Sequence, residues 1–279
     1  MALASNLRLP VVAGQFYPAD REELERQIEG FYRAAGAEKK TSARGVLAPH
    51  AGYVFSGATA AKALSTVAIP PTVILLGPNH QGRGAAAAVY ARGAWETPLG
   101  VVKINAELSA QLCQGVTGFS DDSDAHRFEH SLEVILPFLQ YQRPDVEIVP
   151  VMLKAHSFAA LELMGQELAE VLRSMDGAGG DVLIVTSSDM SHYISASAAR
   201  QQDLPVLELL TQGKARQMYT HVLEQQISMC GIFPATLMLT TLNALAGKPC
   251  QGEVLEYTHS GVVSGDNAAV VGYAAAVFH

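Results

Sequence analysis

One arrangement recurs along this chain and limits what it can become: a short, continuously apolar run, a polar turn, then a segment with helical spacing. Residues 46–48, 72–76 and 182–186 are such runs, and 146–151 follows the same pattern with Glu147 inside it. Strands without polar alternation are buried on both faces, as in largely parallel sheets covered by helices. The segments between them carry helix signals. Asp20 and Glu23 form a capping box ahead of 21–36, where Leu24, Ile28 and Phe31 share a face. An alanine-rich helix is expected over 56–66, one capped by Asn105 running to about 114, and another over 157–175. Leu132, Ile135, Leu136 and Leu139 mark a helix after His130. Segments 197–212 and 215–226 lead to a further helix beginning at Pro234, a residue tolerated in a first turn. Residues 95–104 read as a hairpin turning at Pro98, Leu99 and Gly100, and strands near 252–257 and 269–277 end the sequence. Strands alternating with helices predict the α/β class: a three-layer α/β/α sandwich around a mixed, largely parallel central sheet, with 1–279 as one domain.

Composition agrees with that architecture. Apolar residues make up 49% of the 279 and charged ones 16%, against roughly 25% in an average chain, so a large core can form without disulfides. A net charge of −8 argues against nucleic-acid binding, whose footprint is basic, and against a polybasic membrane anchor. The longest apolar stretch, 268–278, is shorter than the ~20 residues a spanning helix needs. Residues 1–10 show no basic region followed by an apolar run, so no secretory leader is expected. Cys113, Cys230 and Cys250 form no CxxC and no even set, which fits a reducing, cytoplasmic location.

The polar residues after the buried runs carry the functional signal. The first run leads into Pro49-His50-Ala51-Gly52, the second into Gly77-Pro78-Asn79-His80, and 182–186 into Ser187-Ser188-Asp189-Met190-Ser191-His192. Ligands of open α/β sheets lie outside the carboxyl ends of the strands. If these three strands are neighbours, His50, His80 and His192 converge there, with Asp189 beside them. Cys230 stands just ahead of the helix from Pro234, where the dipole favours a thiolate; a buried, inert thiol is the equal alternative. His126 and His130 have the spacing of one helical face without the HExxH residues between them. Glu129, His130, Ser131 and Glu133 are expected to begin a helix pointing at the same edge. Cys113 is expected in the core and Cys250 to be incidental, and His156, His221, His259 and His279 read as surface or packing residues.

Six collinear motifs, 8–20 (RLPVVAGQFYPAD), 48–57 (APHAGYVFSG), 76–80 (LGPNH), 129–138 (EHSLEVILPF), 187–193 (SSDMSHY) and 229–232 (MCGI), resemble the Memo family, whose prokaryotic members are also called protein B of the AmmeMemoRadiSam system. The resemblance implies a fold similar to the LigB-like class III extradiol dioxygenases. It implies that His50 and His80 stand where those enzymes bind metal, that His192 stands where they keep an acid/base histidine, and that Asp189 lines the cleft. Cys230 matches the family cysteine that replaces a glutamate ligand, and His130 and Asn79 are candidates for the surrounding shell.

Three functions follow as expectations. The favoured one is a non-haem iron redox enzyme acting on an unknown small molecule, with Fe(II) held by His50, His80 and Cys230 and His192 moving a proton. A His/His/Cys set also suits Zn²⁺ or copper, and zinc would suit hydrolysis. The third is a non-enzymatic metal-binding or phosphopeptide-binding adaptor, for which only Arg44 and Arg83 lie close in sequence to the histidine motifs. The resemblance further implies a radical-SAM protein and an AMMECR-type protein as pathway partners.

Overall fold

The alternation of apolar runs and helical segments folds into strands that cross a sheet and helices that return over it. The computed structural model describes residues 6–36, 40–175 and 182–279, so residues 1–5 of the stretch read for a leader lie outside it. After strand β1 (Leu7–Arg8), Asp20 caps α1 (Arg21–Ala35) by accepting the Glu23 amide at 2.9 Å. Then come β2 (Gly45–Ala48), α2 (Tyr53–Ser65), β3 (Thr72–Pro78), β4 (Ala87–Val89) and the hairpin of β5 (Ala94–Thr97) and β6 (Gly100–Ile104). Asn105 caps α3 (Ala106–Gly115), followed by β7 (Phe119–Asp121), α4 (Leu136–Gln142), β8 (Glu147–Leu153) and α5 (Phe158–Ser174). The rest comprises β9 (Val182–Ser187), β10 (His192–Ile194), α6 (Ala196–Thr211), α7 (Ala215–Glu224), α8 (Ile232–Ala246), β11 (Gly252–His259), α9 (Gly261–Ser264) and β12 (Val270–Phe278).

The strands form one twelve-stranded sheet with the path β1-β5-β6-β8-β3-β9-β2-β12-β10. Its centre, β6-β8-β3-β9-β2, is parallel throughout, and antiparallel β12 closes it against β2. Side chains alternate across the pleat. On β3, Ile74 and Leu76 face the core under α3, α5 and α8, while Val73 and Leu75 face the core under α1, α2 and α4. On β9, Val182 and Ile184 take the first face and Leu183 and Val185 the second. The molecule is the expected α/β/α sandwich, and because β3, β9 and β2 are adjacent and parallel, their carboxyl ends meet at one edge. Among the described residues no helix is long and apolar enough to cross a membrane.

Four local expectations are corrected. The helix expected after His130 begins only at Leu136; residues 131–135 are turns. The Glu129 carboxylate accepts the amides of His130 and Ser131, and Glu133 turns to Arg8, so side chains satisfy a backbone that would otherwise coil. α8 starts two residues before Pro234, which sits in the first turn where its missing N–H costs nothing. His192 lies in the short strand β10, paired with β12 through a bulge that places Tyr193 at φ 58°. Cys250 is buried in the core, not incidental, whereas Cys113 is only half-buried against it.

Candidate metal centre

Each strand of the β3-β9-β2 trio releases its functional residues at the same level of the sheet. Ala48 stands opposite Ser187 in the parallel register, so the turn after β2 (His50) and the turn after β9 (Asp189) emerge side by side. β3 runs on to Pro78 and releases Asn79 and His80. From the other layer, the residue before the α8 N-cap brings in Cys230. Gly231 makes that approach feasible: a Cβ there would lie 2.3 Å from Cβ of Ser188, whose hydroxyl accepts the Gly231 amide at 3.0 Å.

The structure brings His50, His80 and Cys230 together, with one donor atom from each within 4.8 Å of the others. The Cys230 Sγ is 3.5 Å from Nε2 of His50, and the rings of His50 and His80 meet edge to face at 5.3 Å. Asp189 is buried beneath them. Its Oδ1 accepts the His50 amide at 2.8 Å, its Oδ2 lies 4.0 Å from His50 Nε2, and its amide donates to Cys230 Sγ at 3.1 Å. His192 is partly exposed at the rim, where its Nδ1 lies 2.9 Å from the Ser228 carbonyl. His130 stacks on His80 at 5.2 Å. Asn79 turns away, donating from Nδ2 to the Arg83 carbonyl at 2.7 Å. Of the two arginines near the motifs, Arg83 is paired with Asp124, and Arg44 precedes β2 at the opposite edge of the sheet. His126 does not join His130. It sits in a 3₁₀ turn, bonded to the Ala88 carbonyl and packed between Tyr90 and Trp95.

The hydrogen bonds determine which ring nitrogen of each histidine carries a lone pair. The Ser187 hydroxyl donates to the Ser131 carbonyl at 2.6 Å, so at 2.6 Å from His50 Nδ1 its oxygen must accept, placing the proton on Nδ1. His80 Nδ1 lies 2.9 Å from Oε1 of Glu129, and His192 Nδ1 lies 2.9 Å from the Ser228 carbonyl; both partners accept. Neutral rings at His50, His80 and His192 therefore all present Nε2 as the free base. Such fixing of the remote nitrogen by a carboxylate, hydroxyl or carbonyl accompanies metal-ligating histidines.

Glu129, fully buried, belongs to this supporting layer. A second set of candidate donors, His80, Glu129 and His130, is also close-packed. Yet the Glu129 carboxylate already accepts the amides of His80, His130 and Ser131 and the His80 ring, which leaves it little capacity for an ion.

Electrostatics follow from burial. Burial, helped by the neighbouring rings of His80 and His130, holds His50 well below the usual histidine range, so it stays neutral. Burial alone would raise Glu129, but the hydrogen bond and charge of His80 and the Ser131 amide bring it down to about 2. Burial also opposes charge on His80, and the bond to Glu129 overcomes it, leaving His80 raised. Asp189 is raised by burial. The dipole argument for an acidic Cys230 fails: burial and the Asp189 charge push the thiol up. Two imidazole nitrogens and one sulfur suit a borderline or soft ion.

Sequence reasoning missed Ser187 and Ser228, and it misread Glu129 as a helix start. Ser187 lies in a visible polar run after a strand, but nothing in the sequence shows that its oxygen meets a ring 137 positions away.

An α/β sandwich with imidazole and thiol donors gathered at the carboxyl edge of a parallel sheet defines a class of cleft proteins with a candidate metal centre. The chain belongs to the Memo family: the Memo-like protein profile matches residues 8–277. It is 40% identical to a MEMO1 family protein of Methanopyrus kandleri over 97% of this chain and 98% of that one, and 38% identical to a MEMO1 family protein of Aquifex aeolicus over 98% and 99%. In fold it is similar to the crystal structure of an uncharacterised protein of Escherichia coli K12, with a TM-score of 0.53 and 15% identity over 83% of this chain and 99% of that one.

Proposed function

We propose that this chain is a metal-dependent redox enzyme whose ion is held by Nε2 of His50, Nε2 of His80 and Sγ of Cys230. The observation that carries the reading is the fixing of Nδ1 in both ligand histidines, with Cys230 Sγ 3.5 Å from His50 Nε2. Fe(II) is the favoured occupant, ahead of Zn²⁺ and copper, and a redox-active ion there would supply one-electron chemistry to a small-molecule substrate. The chain's own residues do the rest. Glu129 and Ser187 orient the two rings. His192 keeps its proton on Nδ1 against the Ser228 carbonyl and offers Nε2 to take a proton from a substrate hydroxyl. Asp189 fixes the His50 backbone and the Cys230 sulfur relative to each other.

Anaerobic reconstitution with Fe(II), followed by metal counting and EPR, tests the proposal. Wild type is expected to retain one ion per chain, and His80→Ala and Cys230→Ala to lose it. Folded wild type that retains no redox-active ion overturns the reading.

A further inference from the structure

Helix α6 carries a carboxylate where its pattern calls for an apolar side chain. Its buried stripe is Ala199, Asp203, Val206, Leu207 and Leu210, and Asp203 is fully buried within it. A buried carboxylate is costly unless donors surround it, and an apolar side chain of similar size often serves stability as well or better. Fold stability alone therefore gives no reason for a carboxylate here. Three donors meet it. Its Oδ1 accepts the Ser191 amide at 3.1 Å and the Ser191 hydroxyl at 2.5 Å, and its Oδ2 accepts the Tyr257 hydroxyl at 2.8 Å. Gly272 of β12 leaves the room for it, since a Cβ there would collide with Oδ2.

Ser191 belongs to the loop between β9 and β10, where each amide of residues 189–192 finds a partner outside the loop. The Asp189 amide donates to Cys230 Sγ, that of Met190 to the Gly272 carbonyl at 2.8 Å, that of Ser191 to Asp203, and that of His192 to the Ser228 hydroxyl at 2.8 Å. Directly after them Tyr193 stands at φ 58°, a conformation that a bulky side chain adopts only when its surroundings impose it. The loop is therefore held against its own preference and relaxes where a clamp is removed. The geometry points to Asp203 as a positioning residue: acting through Ser191, its carboxylate holds the loop so that the His192 ring keeps its proton on Nδ1, against the Ser228 carbonyl, and leaves Nε2 bare. This role rests on the proposed function of His192 as a base, because a ring free to exchange tautomers would offer Nε2 only part of the time.

Long-range ¹H–¹⁵N correlation spectra of the full chain labelled with ¹⁵N-histidine test the role, read without added metal at about pH 9, where an ordinary imidazole is neutral. His192 is assigned by its absence in His192→Ala. In wild type its two ring nitrogens are expected at the well-separated shifts of a single Nδ1–H tautomer. In Asp203→Ala they are expected to draw together as the tautomers exchange. Asp203→Asn should restore the separation, because the amide oxygen can accept both Ser191 bonds and its NH₂ group can donate to the Tyr257 oxygen. Should Asp203→Ala not fold, Ser191→Ala removes the hydroxyl bond alone, and partial convergence is expected there. Unchanged His192 shifts in the folded variant overturn the role, as does an averaged pair already in wild type. Convergence as large in Asp203→Asn as in Asp203→Ala also overturns it. So does an equal change at His126, whose ring between Tyr90 and Trp95 would then report a general loosening. Because the readout is a ring and not turnover, failure to retain iron is a separate outcome: it overturns the metal-centre reading and not the hold of Asp203 on His192.

Discussion

At the scale of residues, the proposed centre depends on atoms that would never touch an ion. Ser187 links the His50 ring to the Ser131 carbonyl, so Ser187→Ala frees the ring to choose its tautomer and leaves that carbonyl unpartnered. We expect metal affinity, read by competition with a chelator, to fall about 10- to 100-fold, with a stability loss of about 1–3 kcal/mol in urea unfolding. Unchanged affinity would show that the tautomer is fixed elsewhere. His192 provides the contrast, because its Nδ1 is fixed as well but it stands at the rim. His192→Ala should retain the ion nearly as well as wild type while losing turnover, whereas His50→Ala should lose both. Equal metal loss in the two variants would make His192 a ligand and remove its acid/base role. These partnerships were not legible in the sequence. Histidines at three strand ends announced a shared edge, but periodicity does not encode which serine meets which ring.

At the scale of elements, the adjacency of β3, β9 and β2 converts three local patterns into one site. That much was readable, because continuous apolar runs followed by helices have few topologies in which they can all be buried. What was not readable is where side chains override local propensity. Glu129 and Glu133 draw the backbone of 131–135 out of the helix that Leu132, Ile135 and Leu136 suggest, by accepting amides and by pairing with Arg8. The start of α8 shows the same limit, since the contact that seats it against β9 is a missing Cβ at Gly231. Gly231→Ala places a methyl 2.3 Å from Ser188 Cβ, both attached to backbone that cannot yield cheaply. We expect a loss of about 1–3 kcal/mol and release of the ion as Cys230 shifts. Gly30→Ala, on an exposed face of α1 where a Cβ meets nothing, is the control: it should leave metal retention unchanged and raise stability by about 0.5–1 kcal/mol, the helix preference of Ala over Gly. Full metal retention in Gly231→Ala would mean that the α8 start does not position the thiol.

At the scale of the whole molecule, one buried histidine away from the centre ties the amino-terminal segment to the sheet and sets part of the acid sensitivity. Arg8 donates from Nε to the His126 carbonyl at 2.8 Å, pairs with Glu133 at 2.8 Å and stacks on Trp95 at 4.2 Å, so β1 is held to the sheet beside the His126 ring. Burial, with Arg8 adding a like charge, pushes His126 from the usual 6.5 down to about 3. Between those values the unfolded chain binds a proton at this ring and the native protein does not. Native stability therefore falls as pH drops from 6.5 towards 3, with a slope of at most about 1.4 kcal/mol per pH unit from this residue, and this contribution is constant above pH 6.5. His126→Phe keeps a ring among Tyr90 and Trp95 and removes the titration, while the Ala88 carbonyl loses its donor. The variant should be less stable at pH 7 by about 1–3 kcal/mol, yet lose less stability than wild type between pH 7 and pH 5 when both are unfolded in urea. Parallel losses in the two proteins would place the acid response at other groups.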